Sequence, residues 1–198
     1  MNIKQTLEAQ LGIIPRIQLN DVTVDPASIR AILINEVVPS DPAQDFYGSS
    51  GEEYLSTTIP LFRQAGLEAQ SIQDILDIGV YITNPVKTPK TACALEKSAI
   101  EESLPWLEAE LALFPNVQVI MLCGDVAKKM YNLIARKCTK KNVIPSGATY
   151  KLRAAPFYHG SIRVMPSYII TGGNLLIEKS KVRMIAEDIS AMAEIIRK

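Results

Sequence analysis

The chain reads as an α/β protein, a three-layer α/β/α fold around a mostly parallel central sheet of about four strands. Three observations predict this. Short, largely apolar runs at 31–34, 79–83 and 117–123, with a shorter one at 162–164, read as strands buried in a sheet. Stretches of helical period separate them, the alternation that builds parallel sheets through crossover connections. The 198 residues, 47% hydrophobic, suffice for one substantial core and contain no linker long enough to divide it, so 1–198 is expected to be a single domain.

In chain order, Ile3, Leu7 and Leu11 recur at four-residue spacing before Gly12, which predicts a short helix over 3–12. The strand at 31–34 stops at Asn35-Glu36 and gives way to a loop rich in Pro, Ser, Asp and Gly. Residues 54–65 recover helical spacing before Gly66, and 74–76 fall in a connector to the second strand. Pro85 and Pro89 then forbid regular structure, which leaves Asn84 at a second strand-to-loop transition. Residues 94–114 read as a long amphipathic helix that Pro105 should kink or split. The third strand turns at Gly124-Asp125 into a helix over 126–136. Residues 136–153, with Pro145, Ser146 and Gly147, read as loop or irregular hairpin. After the strand at 162–164 and a Gly172-Gly173 loop, residues 175–197 place Val182, Ile185, Ile189, Met192 and Ile196 at helical spacing.

The net charge of zero conceals an asymmetry. Residues 1–125 hold 17 Asp/Glu against 7 Lys/Arg, whereas 126–177 hold 9 Lys/Arg and no acid, and 178–198 hold 4 acids and 5 bases. A positive face turned to a polyanion is one use of such a segment; ion pairs with acids from elsewhere in the chain are the other. Cys93, Cys123 and Cys138 are odd in number, widely spaced and form no CxxC pair, which argues against a disulfide framework and against a complete zinc or iron–sulfur site. No metal and no cofactor is therefore expected. There is no secretory signal pattern and no run near the ~18 apolar residues of a membrane span, so a cytoplasmic protein without a membrane partner is expected.

Chemistry in open α/β sheets gathers at the carboxyl ends of strands. There the first loop offers Glu36, Phe46, Tyr47 and the turn-permitting Gly48 and Gly51, and the second offers Asn84. For each, an ordinary use is also open: a solvated turn for Glu36 and Asn84, core packing for Phe46. No glycine-rich phosphate loop of the GxGxxG or GxxxxGK[ST] type is present to support a nucleotide enzyme.

Five segments occur in order: INEVVPS at 34–40, FYGSSG at 46–51, YITNPVK at 81–87, PNVQVIMLCGDVA at 115–127 and VMPSY at 164–168. Together they resemble the uracil-DNA glycosylase superfamily, most closely the branch whose first motif reads GEAPG. The resemblance implies hydrolysis of the N-glycosidic bond of uracil or a related damaged base in DNA. It puts Glu36 on the water-activating carboxylate, Phe46 on the aromatic that stacks on the base, and Asn84 on the residue that reads the base edge. Met165 falls on the histidine of the second motif. Ser167 and Tyr168, with Lys128, Lys129, Lys140, Lys141, Lys151 and Arg153, are the expected DNA contacts.

The departures are specific. Asn35 stands in place of a motif glycine, Val38 inserts a residue before Pro39, and the iron–sulfur cysteines of the related branch have no counterparts. A thioether is at best a weak acceptor and cannot donate to the departing base. Losing one such donor typically costs about 2.7–4 kcal/mol, so weakened activity is expected. The alternative is a non-catalytic or repurposed member that binds nucleic acid or a free base. The lone histidine, His159, lies six residues before Met165 and is expected to be structural.

Overall fold

Strands β1 (Ala31–Ile34), β2 (Val80–Thr83), β3 (Val119–Cys123), β4 (Phe157–His159) and β5 (Ile162–Ser167) form one sheet in the order β2-β1-β3-β5-β4. The computed structural model describes residues 1–49, 52–89 and 96–198, so Ser50, Gly51 and Cys93 lie outside the described residues. All neighbours pair in parallel except β4, which runs antiparallel to β5.

Helices α1 (Ile3–Leu11), α4 (Lys97–Leu111) and α5 (Asp125–Thr139) cover one face, and α2 (Glu52–Gln64), α3 (Ile72–Asp77) and α7 (Lys179–Ile196) cover the other. Successive strand residues point to opposite faces, so both faces must be apolar. Accordingly Ile32, Ile34, Tyr81, Ile120 and Leu122 join the first apolar cluster, while Ala31, Leu33, Ile82, Met121 and Met165 join the second. This is the expected α/β/α architecture. Among the described residues the sheet has five strands rather than about four.

The fifth strand, β4, is three residues long, sits at the sheet edge and buries none of its residues, so it left no apolar run to detect. β5 is longer than the expected 162–164 and runs through Pro166. Arg163 donates its N–H to Gln118 on the β3 side, so Pro166, an odd number of residues on, faces the β4 side. The β4 pairing ends at Val164, and the missing N–H therefore breaks no ladder bond.

Three other elements differ from expectation. The connector at 74–76 is helix α3, started by a capping box in which Ser71 and Asp74 satisfy one another's backbone N–H groups. Pro105 does not divide α4: the carbonyl it strands belongs to exposed Glu101, where water can serve. The basic segment begins inside α5, which runs to Thr139, and includes a short helix α6 (Thr149–Leu152). Among the described residues, no helix is long and apolar enough to cross a membrane.

Candidate functional site

The first two loops are joined as extensions of the sheet. Beyond β1 and β2, Asn35 donates its N–H to Thr83, Val86 to Glu36 and Val38 to Val86, and Val37 bridges Val86 in parallel. The loop bearing Glu36 is thereby fixed against the loop bearing Asn84. β1 lies between β2 and β3, the point where the chain reverses direction across the sheet and where ligands bind in such folds.

Glu36 is half-buried and lines two clefts of about 460 and 540 Å³. One is completed by Gly124, Thr149, Tyr168 and the 171–175 loop, the other by Asn35, Pro39, Tyr54 and Ile169. Its carboxylate lies against Gly124, the N-cap of the fifteen-residue α5, where the unpaired N–H groups favour an anion. Gly124 has φ +110, and a Cβ there would come within 2.8 Å of Ile169 and 3.2 Å of the Glu36 carboxylate. Only glycine accommodates both the conformation and the approach.

Asn84 is buried, and both the oxygen and the nitrogen of its amide are partnered. Its nitrogen donates to both oxygens of Asp45, at 2.9 and 3.2 Å, and its oxygen accepts from Asn35 at 3.2 Å. Asn35 also donates to the Thr171 hydroxyl at 3.0 Å and accepts from the Ile170 N–H at 3.3 Å. Burial pushes the Asp45 carboxyl above its ordinary pKa, partly offset by the Phe46 N–H, Lys87 and Asn84.

Phe46 is 0% exposed. The ring of Tyr54 packs on it with centroids 5.1 Å apart and planes tilted by 57°, and the Tyr54 hydroxyl donates to the Val37 carbonyl at 2.6 Å. Tyr54, from α2, thus packs against Phe46 and reaches the first loop. Met165, 4% exposed, belongs to the same apolar cluster as Phe46 and Ile170.

Beneath these loops lies an ion pair of which both side chains are buried. Lys87 Nζ is 2.5 Å from Glu110 and 2.8 Å from Thr83 Oγ1, while Tyr81 donates to Glu110 at 2.7 Å and accepts from Asn20 at 2.6 Å. Every polar atom named is partnered, the condition for tolerating charge in an apolar layer. The network holds the loop after β2 to α4.

The remaining candidates divide by what holds them. Tyr168 and Thr149 line the cleft beside Glu36. Lys129, Lys140, Lys141 and Lys151 are exposed. Ser167, by contrast, is 0% exposed and donates to Asp188 at 2.6 Å. Arg153 grips Asp188 and Glu187, and Lys128 is paired with Asp125 at 2.6 Å and donates to Thr149. Lys137 pairs with Glu108. The acid-free segment therefore meets acids from both flanks, and the structure turns Ser167, Lys128 and Arg153 inward rather than to a free surface. His159, on β4, takes a hydrogen bond with buried Tyr131 at 3.0 Å and lines neither cleft that holds Glu36.

Sequence reasoning missed Asp45, Tyr54 and the contacts of Asn35. The signal for Asn35 was present: a large polar residue directly after a buried strand must find buried partners. Asp45 and Tyr54 carried no such mark, because their roles depend on loops distant in sequence.

A mostly parallel sheet between helical layers defines an α/β/α protein; Glu36 lines the two clefts at its carboxyl edge, whereas Asn84 and Phe46 are buried and line neither. The family model of the uracil DNA glycosylase superfamily matches residues 32–171, and the chain belongs to that superfamily. No curated protein matches the chain.

Proposed function

We propose that the protein is a DNA base-excision glycosylase of weakened activity, hydrolysing the N-glycosidic bond of uracil or a related damaged base. The observation that carries this reading is Glu36, held against the N-terminus of α5 at the meeting of two clefts and bonded through its own backbone to the loop of Asn84. In the reaction the nucleotide is extruded from the duplex. Glu36 orients a water whose oxygen bonds to C1′ as the bond from C1′ to the base nitrogen breaks; the electron pair leaves with the base, which takes up a proton. A carboxylate there also stabilises the cationic sugar.

Phe46 and Asn84 are the proposed base-binding residues. Tyr168, Lys129, Lys140, Lys141 and Lys151 are the proposed contacts to phosphate, where exposed charge adds salt-sensitive affinity. Met165 supplies no donor to the departing base, which accounts for the weakening.

A second reading, a member that binds DNA without excising a base, is favoured by the internal engagement of Asn84 and the burial of Phe46. The experiment that separates the two is incision of single- and double-stranded oligonucleotides bearing one uracil, with abasic sites cleaved by alkali. Slow release by the wild type, lost in Glu36→Gln, supports the enzyme. DNA binding that weakens linearly in log salt, with no release, supports the second reading.

A further inference from the structure

Reading a uracil edge takes a donor for O4 and an acceptor for N3–H, and a single asparagine amide supplies both. In this chain the amide of Asn84 offers neither freely. Its acceptor is occupied by Asn35 at 3.2 Å and its donors by Asp45 at 2.9 and 3.2 Å, with Asn84 itself 1% exposed. The same Asn35 side chain ties down the loop after β5 through Thr171 and Ile170. Tyr54 meanwhile lies on Phe46 and is anchored to the first loop. The reading edge of a base pocket is met by the protein's own groups, and its aromatic, Phe46, is 0% exposed and packs against Tyr54.

We infer that Asn35 is an affinity-determining residue that acts as an internal stand-in for a base: its amide N–H occupies the acceptor of Asn84 that an imide N–H of a base would otherwise use. The inference rests on the reading of Asn84 as the base-binding residue. A base enters only by displacing the Asn35 amide, and because that amide also donates to Thr171 and accepts from Ile170, entry breaks these two ties of the loop after β5, while Ile170 stays held by Thr57 and Thr58. The closed arrangement thus competes with every base whose edge presents an N–H beside a carbonyl, and lowers apparent affinity by the fraction of molecules in which Asn35 has left. Glycine at this position, as in the family motif, has no side chain to compete.

The test is binding of free uracil to the full chain, followed by calorimetry and by the ¹⁵N side-chain amide resonances of Asn35 and Asn84. Asn35→Gly and Asn35→Ala are expected to bind uracil at least ~10-fold more tightly than wild type, with the Asn84 amide resonances shifting on titration. Folded variants that bind no more tightly than wild type overturn the inference. Should neither variant fold, the wild type still decides: at saturating uracil the Asn35 and Asn84 amides must shift together, and a shift of Asn84 alone overturns it. Incision is scored separately. Tighter uracil binding by Asn35→Gly with no incision by any variant removes the glycosylase reading and leaves this inference standing; incision by wild type with unchanged binding in both variants does the reverse.

Discussion

The side-chain nitrogen of Asn35 donates to the side-chain oxygen of Asn84 across 3.2 Å, joining the ends of β1 and β2 by an amide-to-amide bond. Both residues are 1% exposed, so the pair is a sealed feature of the sheet edge rather than a surface contact. It sets the terms for what the site can do, because an amide engaged in this way must be released before it can read anything else.

Gly124→Ala is expected to displace Glu36. The added Cβ meets Ile169 at 2.8 Å and the carboxylate at 3.2 Å, and the positive φ adds strain of about 1–2 kcal/mol. Misplacing the carboxylate by ~1 Å is expected to lower uracil release by on the order of 10²-fold. Single-turnover incision together with urea denaturation separates this from unfolding.

Met165→His tests the missing donor. The position is 4% exposed within the cluster of Phe46 and Ile170, so an imidazole there is expected to destabilise the fold by about 1–3 kcal/mol. On its own it is expected to raise release by on the order of 10²-fold over the slow wild type, because the donor acts on the departing charge once a base has entered. Combined with Asn35→Gly, it is expected to raise release by on the order of 10²-fold over Asn35→Gly alone, measured on the same uracil oligonucleotide.

Glu110→Gln leaves the Lys87 ammonium buried without its counter-charge. Removing one partner of a buried pair costs about 3–5 kcal/mol. Glu108→Gln, which breaks a solvent-exposed pair with Lys137, should cost less than about 1 kcal/mol. Urea midpoints of the two variants, compared at equal slope, check the contrast.

Asp45 gives the stability a pH dependence of definite sign. Burial raises its folded pKa above the ordinary 3.8, so between those values the folded state holds a proton that the unfolded chain has lost. Stability contributed by Asp45 is present below 3.8 and declines as pH rises through the folded value. The free energy of unfolding of wild type relative to Asp45→Asn is therefore expected to fall as pH is raised from 3.8 through that window, measured by urea denaturation at constant ionic strength.

Much of the fold was legible because buried parallel strands are local, largely apolar runs: 31–34 and 117–123 announced β1 and β3, and the spacing from Val182 to Ile196 announced α7. β4 was silent, because an edge strand that buries nothing has no hydrophobic signature. Glu36 and Asn84 were legible as residues at strand ends, and the order of the motifs placed them in one family. Ser167, Lys128 and Arg153 read as surface groups because composition cannot show that Asp188, Glu187 and Asp125 lie within reach.

By itself, then, the sequence determined the layering of the sheet and which residue types stand at its carboxyl edge, since periodicity and strand-end position are properties of short segments. Only the tertiary structure decided that Asn35, Asp45 and Tyr54 close over Asn84 and Phe46. Those contacts link residues 8 to 49 positions apart, and a hydrogen bond of 3 Å depends on where the loops meet, which no local pattern encodes.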